Sequence, residues 1–145
     1  MGKNNKISEQ NKAYIAGIID GEGCIHLGYN SNKQFYSALS VEMGNKIVPY
    51  YLKRKVGGNV TFRKRKDRKI TMYCWSLSGN KSGKIINDIY KYLLLKKQEA
   101  NLYLKFQSTI RNGNNQYKGF LTDKIKKRRF KLIRKLKKEK RNEKR

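Results

Sequence analysis

Asp20 and Glu22 stand on either side of Gly21, at the end of the stretch AYIAGIIDGEG, residues 13–23. Two carboxylates offer hard oxygen ligands of the kind Mg²⁺ takes. Zinc has little to bind, because His26 is the one histidine and Cys24 and Cys74 lie in separate segments without ligand spacing. Read alone, Asp20 to Gly23 also make an ordinary polar turn, since Asp and Gly are routine turn formers. What sets them apart is the element before them: seven apolar residues, Ala13 to Ile19, run without a break into the acidic pair of an otherwise very polar chain.

The helix that delivers the pair can be capped by Ser8, with Glu9 in its first turn. Its apolar run predicts burial on most sides. Ala13, Gly17 and Gly21 recur at every fourth position, so they share one face and let another backbone approach closely. The helix is shaped to pack against a second helix.

After the pair the period changes to two. From Gly23 to Asn30, Ile25, Leu27 and Tyr29 alternate with Cys24, His26, Gly28 and Asn30, the pattern of a half-buried strand. A turn at NSNK leads into Phe35 to Met43, with Leu39, Val41 and Met43 on the core side and Ala38, Ser40 and Glu42 outward. Asn45 can cap a short helix that tolerates Pro49 only in its first turn and stops at Gly57-Gly58. A second hairpin turns at Asp67-Arg68, with Val60 and Phe62 inward and Arg63 and Arg65 on the opposite, basic part. Its return strand places Thr71, Tyr73, Trp75 and Leu77 inward and Ile70, Met72, Cys74 and Ser76 outward, the reverse assignment staying open. Helical spacing resumes from Lys81 to about Ile110, with Ile85, Ile89, Tyr92, Leu93, Leu102 and Phe106 as core residues and a break near Lys96.

This order predicts an α+β fold in which helices cover one face of a four-stranded antiparallel sheet. Residues 8–110 would form that core. Residues 111–145 would add a loop, RNGNNQYKG, and a basic helix or tail with Ile125, Phe130, Ile133 and Leu136 at imperfect helical spacing.

Thirty-six Lys and Arg against ten Asp and Glu give a formal charge of +26. Solubility needs far less, so a polyanion is the expected partner, with nucleic acid first and a membrane surface or an acidic protein second. The last 24 residues carry fourteen Lys and Arg against three acids, which leaves +15 on the rest. The outer face of the sheet is therefore a candidate for the groove of a duplex. No run reaches the ~18 apolar residues of a spanning helix, and MGKNNKISEQ lacks the apolar centre of a signal peptide. No membrane partner is expected, and the setting reads as intracellular with both thiols reduced. Abundant Lys, Asn, Ile and Tyr fit an AT-rich coding sequence, with a chloroplast or mitochondrion, a bacterium and a phage all open as hosts.

The stretch AYIAGIIDGEG resembles the motif of the LAGLIDADG homing endonucleases, which cut long DNA sites and promote mobility of introns or inteins. LLLKKQEANLYL, residues 93–104, is similar to the family's later helix, with its lysine followed by an Ala-Asn-Leu step. The strand pairs follow the family's α-β-β-α-β-β-α order, and the likeness covers about residues 8–110 with one copy of the acidic motif.

The resemblance implies that two such helices pack side by side, each bringing one carboxylate to a scissile phosphate. With one motif per chain it implies a homodimer on near-palindromic double-stranded DNA, the symmetry of protein and target matching. Ala13, Gly17 and Gly21 then form the dimer interface. Metal binding falls to the second acid, Glu22, and to the backbone carbonyl of Gly21, with Mg²⁺ or Mn²⁺ as cofactor and a structural role for Asp20. Glu in place of the family's Asp lengthens the arm by one methylene. Lys96 matches the lysine that the family places near the phosphate, with Lys97 the rival if the register slips by one. Asn45 falls where related proteins hold a water-orienting polar residue, although helix capping competes for it. The family's sheet lies in the major groove, which makes Cys24, His26, Asn30, Ser40, Glu42, Arg63, Arg65, Met72 and Cys74 the implied DNA-contacting residues. Arg63 and Arg65 suit guanine edges or phosphates, and Glu42 can accept from a cytosine amino group.

The expected function is a site-specific, metal-dependent DNA endonuclease that makes a double-strand break in a pseudo-palindromic site. The alternative is a non-cleaving protein on the same scaffold, an intron RNA maturase or a DNA-binding regulator, so intron RNA stays open as a partner. A structural RNA-binding protein of the ribosomal type would account for charge and size but not for an acidic pair at the end of a small-faced helix.

Overall fold

The computed structural model describes residues 6–67, 69–111 and 121–142. Its elements are α1 (Glu9–Glu22), β1 (Gly23–Tyr29), β2 (Phe35–Met43), α2 (Ile47–Val56), β3 (Asn59–Arg65), β4 (Ile70–Ser78), α3 (Gly79–Ile89), α4 (Lys97–Arg111) and α5 (Asp123–Asn142). One turn of 3-10 helix, Tyr90–Tyr92, follows α3. The strands form one antiparallel sheet in the order β1-β2-β4-β3, so the second hairpin enters with its return strand against β2. This is the α+β architecture that the periodicities predict. The expected loop after α4 and the turn residue Arg68 lie outside the described residues.

The side-chain alternation of the strands decides what the sheet covers. Ile25 and Leu27 of β1, Leu39 and Val41 of β2, and Trp75 and Leu77 of β4 are buried on the face that meets the helices. Leu52 of α2, Ile86 and Ile89 of α3, and Tyr103 and Phe106 of α4 close over them. Trp75 sits at the centre, and its indole N–H donates to the Gly57 carbonyl at 2.8 Å. Gly58, at φ +90°, passes so close to the Ser76 carbonyl that a β-carbon has no room. Phe62 differs from expectation: it stays 69% exposed, at the middle of edge strand β3, with the Tyr73 ring 6.4 Å away between ring centres.

Ser8 caps α1 as expected, its hydroxyl accepting from the Asn11 amide at 3.2 Å. The helix is not buried on most sides, however. Ile15, Ala16 and Ile19 form the buried stripe, whereas Ala13, Tyr14, Gly17 and Gly21 are exposed. One chain packs against this helix from one side only.

The basic C-terminal segment is a helix docked on the body. α5 buries Leu132, Ile133 and Leu136 together with Arg129, which is only 3% exposed. Arg129 Nε donates to Thr109 Oγ1 at 2.9 Å, and the guanidinium lies 5.2 Å from the Phe35 ring centre and 5.7 Å from that of Phe106. Burial pushes its pKa down from the usual arginine value. Phe130 meets Tyr29 and Phe35 near the hairpin tip, while Lys140 Nζ reaches the Ile25 carbonyl at 2.5 Å near the start of β1. The helix thus runs along β1 and shields an edge that would otherwise invite strand pairing. Among the described residues no helix is long and apolar enough to cross a membrane.

Candidate active site and nucleic-acid face

The two acids of α1 have different surroundings. Asp20 turns back toward the segment before α4: one carboxylate oxygen accepts from the Leu94 amide at 2.8 Å and the other from the Lys96 amide at 2.9 Å. These amides belong to the non-helical residues just before α4, whose N–H groups have no regular backbone partner, so Asp20 fixes the entry to α4 from a different element. Lys96 closes the link from its side, its ammonium donating to the Asp20 carbonyl at 2.7 Å. Lys97 points elsewhere, 5.5 Å from the centre of the Tyr90 ring.

Glu22 is the last residue of α1 and is exposed, and among the described residues its carboxylate has no hydrogen-bond partner. The residue after the helix has no room for a side chain, since a β-carbon on Gly23 would meet the Ile19 carbonyl oxygen at 2.6 Å. At Gly17 and Gly21 the opposite holds: an added β-carbon would find nothing within 4 Å. The small-residue face is open. Asn45 follows β2 at the same end of the sheet, because Gly23 pairs with Val41. Its Oδ1 accepts from the Ile47 amide at 2.8 Å and so supports the first turn of α2.

Two oxygen donors at this end are the carboxylate of the exposed Glu22 and the carbonyl of Gly21, which belongs to the last turn of the helix, where carbonyls lack intrahelical partners. They suit a hard cation, but one chain supplies a small part of a coordination shell. Among the described residues no group of three or more His, Cys, Asp or Glu side chains gathers at one place.

The pleat brings most of the residues expected to contact DNA to the outer face of the sheet. Cys24 is opposite Ser40, Glu42 opposite Cys74, and Arg63 opposite Met72. His26 Nε2 lies 2.8 Å from Ser40 Oγ, and its Nδ1 lies 3.9 Å from Cys24 Sγ. Lys140 arrives from α5, 3.2 Å from the same sulfur. The His26 contact, with Lys140 behind it, lowers the Cys24 thiol pKa to about 7, whereas burial raises that of Cys74. Arg63 and Glu42, expected as separate readers, hold each other in a bidentate pair. Asn30 is engaged in the hairpin turn, its Oδ1 accepting from the Gln34 amide at 2.9 Å. Arg65 belongs to β3, and its side chain is outside those described.

Sequence reasoning missed the Asp20 bonds to the Leu94 and Lys96 amides and the arrival of Lys140. Neither leaves a local signal, because their partners are far along the chain. Arg129 had one: it falls on the same helical stripe as Leu132, Ile133 and Leu136.

The family model of the LAGLIDADG endonucleases matches residues 15–110, from within α1 through all four strands to the penultimate residue of α4. This chain belongs to the LAGLIDADG endonuclease family. Its fold is shared by the homing endonuclease I-CvuI, solved with its target and calcium, at 21% identity and a TM-score of 0.67 over 90% of this chain and 82% of that one. The archaeal intron-encoded homing endonuclease I-Vdi141I, complexed with DNA, gives 18% identity and a TM-score of 0.71 over 90% and 84% of the two chains. I-LtrWI, a LAGLIDADG homing endonuclease bound to target DNA, gives 20% identity and a TM-score of 0.67, covering 93% of this chain but 45% of its own. No curated protein sequence matches this chain. In this LAGLIDADG chain, the acidic end of α1 meets the segment before α4 through the Asp20–Lys96 link.

Proposed function

We propose that this LAGLIDADG protein is a homing endonuclease that acts as a homodimer on double-stranded DNA and cuts both strands of a pseudo-palindromic site with Mg²⁺ or Mn²⁺, promoting intron or intein mobility. The observation that carries this reading is the open face Ala13-Gly17-Gly21 ending in an exposed Glu22, with Lys96 anchored to the Asp20 carbonyl of the same helix end. A small-residue face with no neighbour permits a second copy of α1 to approach at backbone distance, which would set two Glu22 carboxylates together.

Glu22 and the Gly21 carbonyl of each copy would hold the metal. When bound, such an ion lowers the pKa of a water and offsets charge on the attacked phosphate and the leaving oxygen. The chain's own groups would do the rest. Lys96, tied to the end of α1, offers a cation to the phosphate as charge develops on it. Asp20 holds the backbone that carries Lys96, and Asn45 orients water at the same end of the sheet. Cys24, His26, Ser40, Glu42, Arg63, Arg65, Met72 and Cys74 would face the major groove. The +26 charge supplies attraction to the backbone phosphates.

The test uses wild-type and Glu22→Gln protein with a randomised duplex library in Mg²⁺ and in Ca²⁺, with cleaved ends and bound molecules sequenced separately. Palindromic cleaved sites are expected for the wild type in Mg²⁺ alone, with Glu22→Gln binding the same sites uncut. Bound DNA with no cleavage under any condition would move the reading to a maturase or regulator, and equal cutting by the variant would take Glu22 out of the metal site.

A further inference from the structure

Arg63 and Glu42 project from the outer face of the sheet on either side of β4. Glu42 is the one acid among the residues of the four strands. On a surface meant for a polyanion, a carboxylate repels phosphate and costs affinity. An exposed ion pair also adds little to stability, and Arg63 is 64% exposed at its side chain. Neither affinity nor stability accounts for Glu42.

The geometry of the pair does. Glu42 Oε1 takes Arg63 Nη2 at 2.7 Å and Nε at 3.2 Å, and Oε2 takes Nη2 at 3.0 Å. Both oxygens therefore lie against the guanidinium edge that carries Nε and Nη2. The group is planar with five N–H donors in a fixed fork, so occupying one edge orients the next. The N–H groups of Nη1 and the second N–H of Nη2 form an end-on pair, the arrangement that matches O6 and N7 of guanine in the major groove. An arginine held this way also loses less rotamer freedom when it meets a base, and it is drawn away from nearby phosphates.

We propose that Glu42 is a positioning residue that holds Arg63 end-on for guanine, so that each sheet selects a G·C pair at one position of its DNA site. This deepens the proposed function and rests on its reading of the sheet as the DNA-contacting face. Glu42 acts here through Arg63 and takes no base of its own.

The full-length wild type, Glu42→Ala, Glu42→Gln and Arg63→Lys proteins are each bound to a randomised duplex library in Ca²⁺, and the bound sequences are compared. The wild type should prefer guanine at one position per half-site, and Arg63→Lys, which keeps the charge but not the fork, should reduce that preference by about tenfold or more. Glu42→Ala should weaken the same preference at the same position, leave the other positions alone, and bind random duplex more tightly. Glu42→Gln, retaining one acceptor oxygen, should fall between Glu42→Ala and the wild type. The proposal is overturned if Glu42→Ala leaves the guanine preference intact, shifts a cytosine preference elsewhere, or erodes all positions together with the melting temperature. A wild type that enriches no sequence at all would instead overturn the reading of the sheet as a sequence-selecting face, and that failure is visible in the wild-type arm alone.

Discussion

Asp20 and Glu22 lie two residues apart in one helix, yet the fold gives them opposite tasks. Asp20 spends both oxygens on the amides of Leu94 and Lys96, while Glu22 is left exposed. Asp20→Ala should therefore destabilise the protein by about 1–3 kcal/mol, because the two amides before α4 lose their acceptor, measurable by urea unfolding. An unchanged midpoint would mean that water or other groups satisfy those amides equally well. At the other end of α1, Lys12, Lys91 and Tyr92 converge on Glu9 and hold its carboxyl at about 2, below the usual carboxylate range. A depressed folded pKa contributes stability that is present above the unfolded value and lost as pH falls through the folded one. Glu9→Gln should thus melt slightly below wild type near neutral pH and coincide with it near pH 2, the effect staying small because the group is exposed. A gap of the same size at both pH values would contradict this assignment.

Among the elements, α1 carries the sharpest contrast between its two sides. Ile15, Ala16 and Ile19 are fully buried, while Tyr14 is 52% exposed next to glycines with open space around them. Leu94 and Leu95, 87% and 62% exposed, add apolar surface beside the end of the same helix. Gly17→Leu should fold normally, since the single chain has room for the side chain, but should block the close approach of a second α1. Sedimentation should then find monomers with an unchanged circular dichroism spectrum. A dimer of wild-type stability would place the contact between copies elsewhere.

For the molecule as a whole, α5 decides how the +26 charge is carried. Leu132, Ile133 and Leu136 and the buried Arg129 fasten a strongly basic helix along edge strand β1, so its charges are fixed relative to the sheet. Leu136→Ala should cost about 2–4 kcal/mol by leaving a cavity between α5 and the body. Thermal unfolding checks that figure, and a loss below about 0.5 kcal/mol, the range of ordinary surface changes, would mean that α5 is not part of the cooperative unit.

The sequence by itself determined the helix and strand periods, the inward and outward faces of β1 and β2, and the motif that marks the family. These are local properties: spacing of 3.6 or 2 between apolar residues, caps such as Ser8, and a short acidic segment after an apolar run. Tertiary structure decided which group meets which. Asp20 finds its amides 74 and 76 residues away, Arg63 meets Glu42 across an intervening strand, and Lys140 reaches Ile25 over 115 residues. No periodicity encodes such pairs, because they depend on strand order and on where α5 docks, which are set by the packing of the whole core rather than by any one segment.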